Sequence, residues 1–296
     1  IIISGLLPDL FMGLAGLEGP GYRPDLDISR AEYLLVPGNA VTAGGEKIGE
    51  SPDFAVRANL RNPALVNLGV HDCNSILKTQ QVVNQGLRAM EVDLIYNNDP
   101  AKPSLLLAHD EVHATDLDLE NFLQRFSDKI DFLWLDIKNI NKESNRHILE
   151  YLERLDVAYK LRGRALVESD DAPGLALFAD KGWQTSIYLG WKEIARAVRS
   201  GAIDEVAARI ERQVRENGIG GLSYPLVLDP QVQQYLMPRL PAGTKNYSWK
   251  PTWFYSDPDL ADKAAHYGHI PRLLVEGGSP FNLEPTRLKT PSAEGH

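Results

Sequence analysis

The sequence predicts an α/β fold, specifically a closed (β/α)8 TIM barrel preceded by an irregular N-terminal extension. Its 296 residues suit a single barrel of this kind, for which about 250 residues is usual. From Ala64 onward, short apolar runs alternate with helix-like segments about eight times. Strands that alternate with helices pair in parallel, and eight such units are enough to close a barrel.

The first 60 residues contain five prolines and a glycine-rich stretch from Gly38 to Gly49, a pattern that predicts an irregular extension. The helix-like segments that follow show helical spacing of apolar residues or capping residues at their ends, and Gly201 divides one of them. The strands are expected at Ala64–His71, Ala89–Tyr96, Phe132–Lys138, Arg164–Ser169, Gln184–Gly190, Leu222–Leu228, Lys245–Trp249 and Pro271–Glu276. The helices are expected at Ile76–Gln85, Asp118–Phe126, Glu143–Val157, Pro173–Lys181, Ile194–Asn217, Gln231–Met237 and Asp259–Tyr267.

These segments divide the chain into an extension over residues 1–60, one barrel domain over residues 61–285 and a C-terminal tail over residues 286–296. The hydrophobic fraction of 43% and the charged fraction of 24% are typical of a globular protein.

Composition also limits the partners. The net charge of −9 argues against nucleic acid, because phosphate-backbone binding requires a cationic surface. Cys73 is the single cysteine, so no intrachain disulfide forms. No apolar run is long enough to span a bilayer. Ile1–Pro8 is apolar but lacks the basic start of a signal peptide, and we interpret it as a packing arm or a membrane-proximal remnant. An extracytoplasmic or membrane-proximal location, with peripheral membrane contact, is the expectation.

Ionisable residues interrupt several of the apolar strands. Glu91 and Asp93 are two residues apart, as are Asp136 and Lys138, so each pair projects from one face of its strand. His71, His109 and Glu168 lie at the ends of other apolar runs. Functional residues of such barrels lie at the carboxyl ends of the strands, so these side chains are expected to converge there.

The residue types indicate the chemistry. Carboxylates of Glu91, Asp93 and Asp136 suit Mg²⁺ or Ca²⁺ better than zinc, and Lys138 could offset excess negative charge. Two imidazoles, of His71 and His109, suit a general base and a general acid. Each of these short charged segments alone is consistent with a solvated strand, a turn or a buried ion pair. Four of them on successive apolar strands favour a metal-dependent site, because a core without function would have to neutralise every charge.

At these residues the sequence resembles the phospholipase-C-like phosphodiesterase superfamily, which includes glycerophosphodiester phosphodiesterases, sphingomyelinase D toxins and menorin-like proteins. His71 with Asn74 resembles the first-histidine motif of the sphingomyelinase D and menorin groups. The segment from Gly86 to Asp93 resembles the Gly-x-x-x-x-Glu-x-Asp metal motif. His109-Asp110 resembles the second-histidine motif, and Asp136-Ile137-Lys138 resembles the acid-x-Lys strand.

The resemblance implies a hydrolase of lipid metabolism that cleaves a glycerophosphodiester or a phospholipid head group. His71 would be base or nucleophile, His109 the acid, and Lys138 a neutralising group. The metal, Mg²⁺ or Ca²⁺, would lie on Glu91, Asp93 and Asp136. The candidate substrate-binding residues are Asn74, Glu168, Tyr188 and Trp249.

Two alternatives stay open: a non-catalytic menorin-like interaction barrel and a metal-independent phosphatidylinositol-type lyase. The remaining histidines match no motif and are expected to be surface or packing residues: His113, His147, His266 and His269.

Overall fold

The computed structural model of the protein describes residues 59–99, 101–110 and 117–277. Its strands are β1 Leu68–Val70, β2 Ala89–Asn97, β3 Ser104–Leu107, β4 Phe132–Ile137, β5 Ala165–Ser169, β6 Gln184–Tyr188, β7 Gly221–Pro225, β8 Lys245–Phe254 and β9 Arg272–Glu276. Eight of them pair in parallel in the order β1-β9-β8-β7-β6-β5-β4-β2, and pairing of β1 with β2 closes the ring. The predicted closed parallel barrel is confirmed.

Helices connect the strands on the outside of the ring. They are α1 Ile76–Asn84, α2 Leu119–Phe126, α3 Asn145–Tyr159, α4 Ala172–Asp180, α5 Trp191–Ser200, α6 Ile203–Glu216 and α7 Leu260–Ala265. The hydroxyl of Ser75 caps α1 by accepting a hydrogen bond from the amide of Lys78. Gly201 has a φ of 76° and ends α5, which explains why the long predicted segment divides into two helices.

Alternation along the strands separates the two faces of the barrel. In β2, Val92 and Leu94 belong to the large core between strands and helices, whereas Glu91 and Asp93 face the barrel interior, where they line a cavity. A second, smaller apolar cluster fills the interior below that cavity, with Trp134, Leu166, Tyr247 and Leu274. The rings of Trp134 and Tyr247 meet edge to face with centroids 5.6 Å apart. The interior is therefore packed at one end and open at the other.

Several predicted boundaries were wrong. The strand predicted to end at Leu228 ends at Pro225, because Leu226–Leu228 turns into a 3-10 helix. The strand predicted to end at Trp249 continues to Phe254 through a register shift against β9. The short helix predicted at Gln231–Met237 is a π-helix at Val232–Leu236 within a run of helical turns.

One feature of the sheet was not predicted. The apolar run before His109 forms β3, which pairs antiparallel with the distal half of β2. Apart from residues 59 and 60, the predicted N-terminal extension lies outside the described residues, as does the C-terminal tail, and the domain limits stay a prediction. Among the described residues no helix combines the length and the hydropathy needed to cross a membrane.

Candidate active site

Three carboxylic acids lie side by side on neighbouring strands. Asp93 of β2 is in register with Asp136 of β4, and Asp136 is in register with Glu168 of β5. Asp93 is central in β2 only because that strand continues past its neighbour to pair with β3. Because β4 ends one residue after Asp136, this row of acids lies at the carboxyl end of the barrel, where active sites of this fold lie.

Glu91, Asp93 and Asp136 form a compact cluster. One oxygen from each lies within 4.8 Å of the others, and the Glu91 and Asp93 side chains are almost completely buried. Lys138 contacts two of the three, with its ammonium nitrogen 2.6 Å from Asp93 Oδ1 and within bonding distance of Asp136 Oδ2. Three carboxylates and one ammonium leave an excess of negative charge in a poorly hydrated position.

The pKa values reflect that excess. Burial first, and then the charges of Asp93 and Asp136, raises the pKa of Glu91 well above its usual value. Burial also raises the pKa of Asp136 despite Lys138. For Asp93, Lys138 and the Asn74 amide overcome burial and lower the pKa. A divalent cation would supply the missing positive charge, and the all-oxygen donor set fits Mg²⁺ or Ca²⁺.

Backbone and amide donors hold the acids in place. Asp72 has a φ of 56°, and its amide donates to Glu91 Oε2 at 2.6 Å. Aspartate is among the few residues that adopt this left-handed conformation readily. The Asn74 side chain donates to Asp93 Oδ2 at 2.7 Å and accepts from the Asp93 amide at 2.8 Å. Asn74, predicted to bind substrate, is therefore engaged with Asp93.

His71 follows β1 directly and contacts two acids. Its Nδ1 is 3.4 Å from Glu276 Oε1, and its Nε2 is 4.0 Å from Glu91 Oε2. Lys78 of α1 lies 3.4 Å from the other oxygen of Glu276. Although burial opposes the effect, His71 and Lys78 together lower the pKa of Glu276. The contact of Nδ1 with Glu276 orients the ring so that Nε2 lies on the side of Glu91.

A cavity of about 490 Å³ occupies this end of the barrel, a volume typical of small-ligand sites. Its walls bring together most of the predicted residues: His71, Glu91, Asp93, His109, Asp136, Lys138, Glu168, Tyr188 and Trp249. Asn74 is not among the lining residues. His109 follows β3 and is exposed. Of the residues that the structure describes, six carboxylic acids line the cavity, against one lysine and two histidines.

Aromatic rings and a buried acid form another part of the cavity wall. Tyr188 and Trp249 stack with centroids 5.6 Å apart at an interplanar angle of 22°, and Trp134 meets Trp249 edge to face at 6.5 Å. Glu168 is 2% exposed, and its Oε2 has no hydrogen-bond partner among the described residues. Burial and then the charge of Asp136 raises the pKa of Glu168 well above its usual value.

Sequence reasoning missed three groups in the site. Glu276, Lys78 and Asp72 contact His71 or Glu91 or each other. Glu276 ends the last strand, and the same rule that selected Glu168 could have selected it. Lys78 sits within an ordinary amphipathic helix, so no sequence signal separates it from surface lysines.

The histidines without a motif differ among themselves. His147 and His266 are exposed as expected, and His113 lies outside the described residues. His269 has a defined partner, since its Nε2 lies 3.0 Å from Asp229 Oδ1. The same carboxylate accepts the Tyr224 hydroxyl at 2.8 Å. This network ties the turns after β7 to the loop before β9, away from the cavity.

Comparisons with known proteins bear on the fold of this chain. No family model matches the sequence and no curated protein matches it, whereas solved structures of phosphodiesterases share its fold. A protein of Silicibacter pomeroyi, provisionally assigned as a glycerophosphoryl diester phosphodiesterase, has a TM-score of 0.50 at 13% identity, covering 75% of this chain and 93% of that one.

Two further structures are similar at lower scores. The glycerophosphodiester phosphodiesterase of Parabacteroides distasonis has a TM-score of 0.49 at 15% identity, covering 71% of this chain and 93% of that one. The calcium-dependent phosphoinositol-specific phospholipase C of a Pseudomonas species has a TM-score of 0.43 at 16% identity, covering 79% and 98%. At 13% identity, the likeness to the Silicibacter pomeroyi structure shows a shared barrel fold.

Proposed function

We propose that this protein is a metal-dependent phosphodiesterase that cleaves a glycerophosphodiester or a phospholipid head group. The observation that carries the proposal is the cluster of Glu91, Asp93 and Asp136, whose oxygens lie within 4.8 Å of one another in a cavity also lined by His71 and His109. A strongly acidic cavity repels a phosphodiester anion unless a cation reverses its charge, so the acid excess itself supports a metal.

The three clustered acids would hold one Mg²⁺ or Ca²⁺. When bound, the ion supplies positive charge for a non-bridging phosphate oxygen. Lys138 adds a fixed ammonium beside Asp93 and Asp136 and would stabilise negative charge that develops on the phosphoryl group.

His71 is suited to the role of base. Glu276 holds Nδ1, so Nε2 takes a proton from the attacking oxygen, either of water or of a neighbouring substrate hydroxyl, as that oxygen forms its bond to phosphorus. His109, protonated, then gives its proton to the leaving alkoxide oxygen as the ester P–O bond breaks. Each proton lost by one group is gained by another, and no further reactant is needed.

The remaining predicted residues would contact or frame the substrate. Tyr188 and Trp249 offer a flat apolar wall, and Glu168 offers an unengaged carboxyl oxygen. Asn74 would act through Asp93 rather than on the substrate directly. We further propose an extracytoplasmic or membrane-proximal location with peripheral membrane contact, consistent with a lipid-derived substrate.

The test is hydrolysis of bis(p-nitrophenyl) phosphate before and after treatment with EDTA, followed by addition of Mg²⁺ or Ca²⁺. Activity that disappears with chelator and returns with either ion is expected. The matched variants are Glu91→Gln in the cluster and Glu211→Gln on the outer helix α6, of which only the first should lose activity.

Two results would contradict the proposal. Chelator-resistant turnover would favour the metal-independent lyase. No turnover of any diester in a panel of glycerophosphodiesters and lysophospholipids would favour the non-catalytic interaction barrel. The alcohol and the phosphomonoester released from each member of that panel identify the head group.

A further inference from the structure

A second cavity adjoins the first at the rim of the barrel. It has a volume of about 230 Å³ and lies between the loops after β5 and β6 and the helices α5 and α6. Asp170 and Tyr188 line both cavities, so the two cavities meet at these side chains. At less than half the volume of the first cavity, it is smaller than usual small-ligand sites and fits a subsite for part of a molecule.

The walls of the second cavity combine an apolar floor with a polar rim. Ile187, Leu189, Ile194 and Ile210 form the floor and are buried. The rim carries Asp170, Glu193, Arg209 and Gln213. Its volume is large enough for a group of glycerol or sugar size and too small for a long acyl chain.

The rim is pre-ordered and carries both donors and acceptors. Arg209 of α6 donates to Glu193 of α5 at 2.7 Å and to the side-chain oxygen of Gln213 at 3.1 Å. Guanidinium and amide N–H groups donate, while the carboxylates of Asp170 and Glu193 accept. Two acids against one arginine disfavour an anionic ligand. Hydroxyl groups both donate and accept, and they match such a rim without adding charge.

We propose that the second cavity binds the hydroxyl-bearing substituent of the phosphodiester, a polyol arm that extends past Tyr188 and Asp170. This inference rests on the proposed phosphodiesterase function, because it assigns the phosphate to the first cavity. It makes Arg209 and Gln213 specificity-determining residues, which line the second cavity and not the first.

The experiment compares two chromogenic substrates with the same leaving group and the same carbon count, glyceryl p-nitrophenyl phosphate and propyl p-nitrophenyl phosphate. They differ only in two hydroxyl groups. The wild-type protein is expected to prefer the glyceryl ester by at least about fivefold in kcat/KM, as two hydrogen bonds of ordinary strength predict.

Arg209→Leu and Gln213→Leu should each reduce that preference by about three- to tenfold, through KM, and leave the propyl ester unaffected. Arg215→Leu is the matched control, because Arg215 also lies on α6 and also pairs with a glutamate, Glu211, but does not line the cavity. Equal rates on the two esters in the wild type, or equal losses on both esters in the variants, would overturn the subsite.

Calorimetric titration with glyceryl methyl phosphate separates this inference from the proposed function. If the wild type cleaves no diester yet binds this compound, and Arg209→Leu weakens binding while Arg215→Leu does not, the subsite stands and the catalytic proposal fails. If turnover is intact and binding is the same in both variants, the subsite fails and the catalytic proposal stands.

Discussion

Replacing Glu91 by glutamine should change how the stability of the metal-free protein depends on pH. Burial and the neighbouring aspartates raise the pKa of Glu91, so between its unfolded pKa of about 4.3 and its folded pKa the native protein holds more protons than the unfolded chain. Stability must then fall as pH rises through this window. Glutamine has the same shape and no charge, so Glu91→Gln removes this component.

The magnitude follows from one proton. A difference of one bound proton corresponds to about 1.4 kcal/mol per pH unit, which for a domain of this size is a melting-temperature change of about 3–5 °C per pH unit. Asp136 and Glu168 also have raised pKa values, so part of the decrease in stability with rising pH remains in the Glu91→Gln variant. Asp93 and Glu276 have lowered pKa values, so their contribution is present above their unfolded pKa and is lost only as the solution becomes more acidic.

The assay is thermal unfolding in EDTA from pH 5 to pH 8 for the wild type, Glu91→Gln and the outer-surface control Glu211→Gln. The wild type and the control should lose stability with rising pH more steeply than Glu91→Gln. Saturating Mg²⁺ or Ca²⁺ should flatten the wild-type curve and stabilise it by about 2.7 kcal/mol at a concentration 100 times the Kd. Parallel pH curves for the wild type and Glu91→Gln would refute the electrostatic account of the cluster.

His71→Ala and His109→Ala should each lower kcat by about 10²–10⁴-fold with an unchanged circular dichroism spectrum, and near-normal rates would remove that histidine from the mechanism. Glu276→Gln should lower kcat by at least about tenfold, while the Mg²⁺ affinity measured by calorimetry should stay within about a factor of two. Wild-type turnover in this variant would show that His71 does not need an ionised partner at Nδ1. Lys138→Met should destabilise the metal-free protein by about 1–3 kcal/mol, since Asp93 and Asp136 lose the partly exposed ammonium that both contact. Denaturant unfolding in EDTA and in Mg²⁺ should show that the ion recovers most of this loss. An equal loss in both conditions would argue against a shared cation site. Trp249→Ala should raise KM for aryl diesters more than Trp249→Phe does, because only phenylalanine keeps a ring that can stack on Tyr188. Equal KM values in the two variants would show that the ring at position 249 does not contact the substrate.

The sequence was sufficient for the architecture because hydrophobic periodicity and strand–helix alternation are local properties. Most strand positions were predicted to within a few residues, and Gly201 correctly marked a division between helices. The position of Glu91 and Asp93 on the same face of β2 followed from the two-residue period of a strand alone. The errors fell where tertiary context decides, as at β8, which continues past Trp249 because β9 offers it a partner across a register shift.

The identity of the candidate acids came from the sequence, but their convergence came from the register of the closed sheet. Only the barrel places Asp93, Asp136 and Glu168 in one row. It also brings the end of the last strand to the first, so that Glu276 meets His71 across 205 positions of the chain. Side-chain type and spacing can be read directly from the sequence. Contacts between distant segments depend on strand order and shear, which no local pattern encodes.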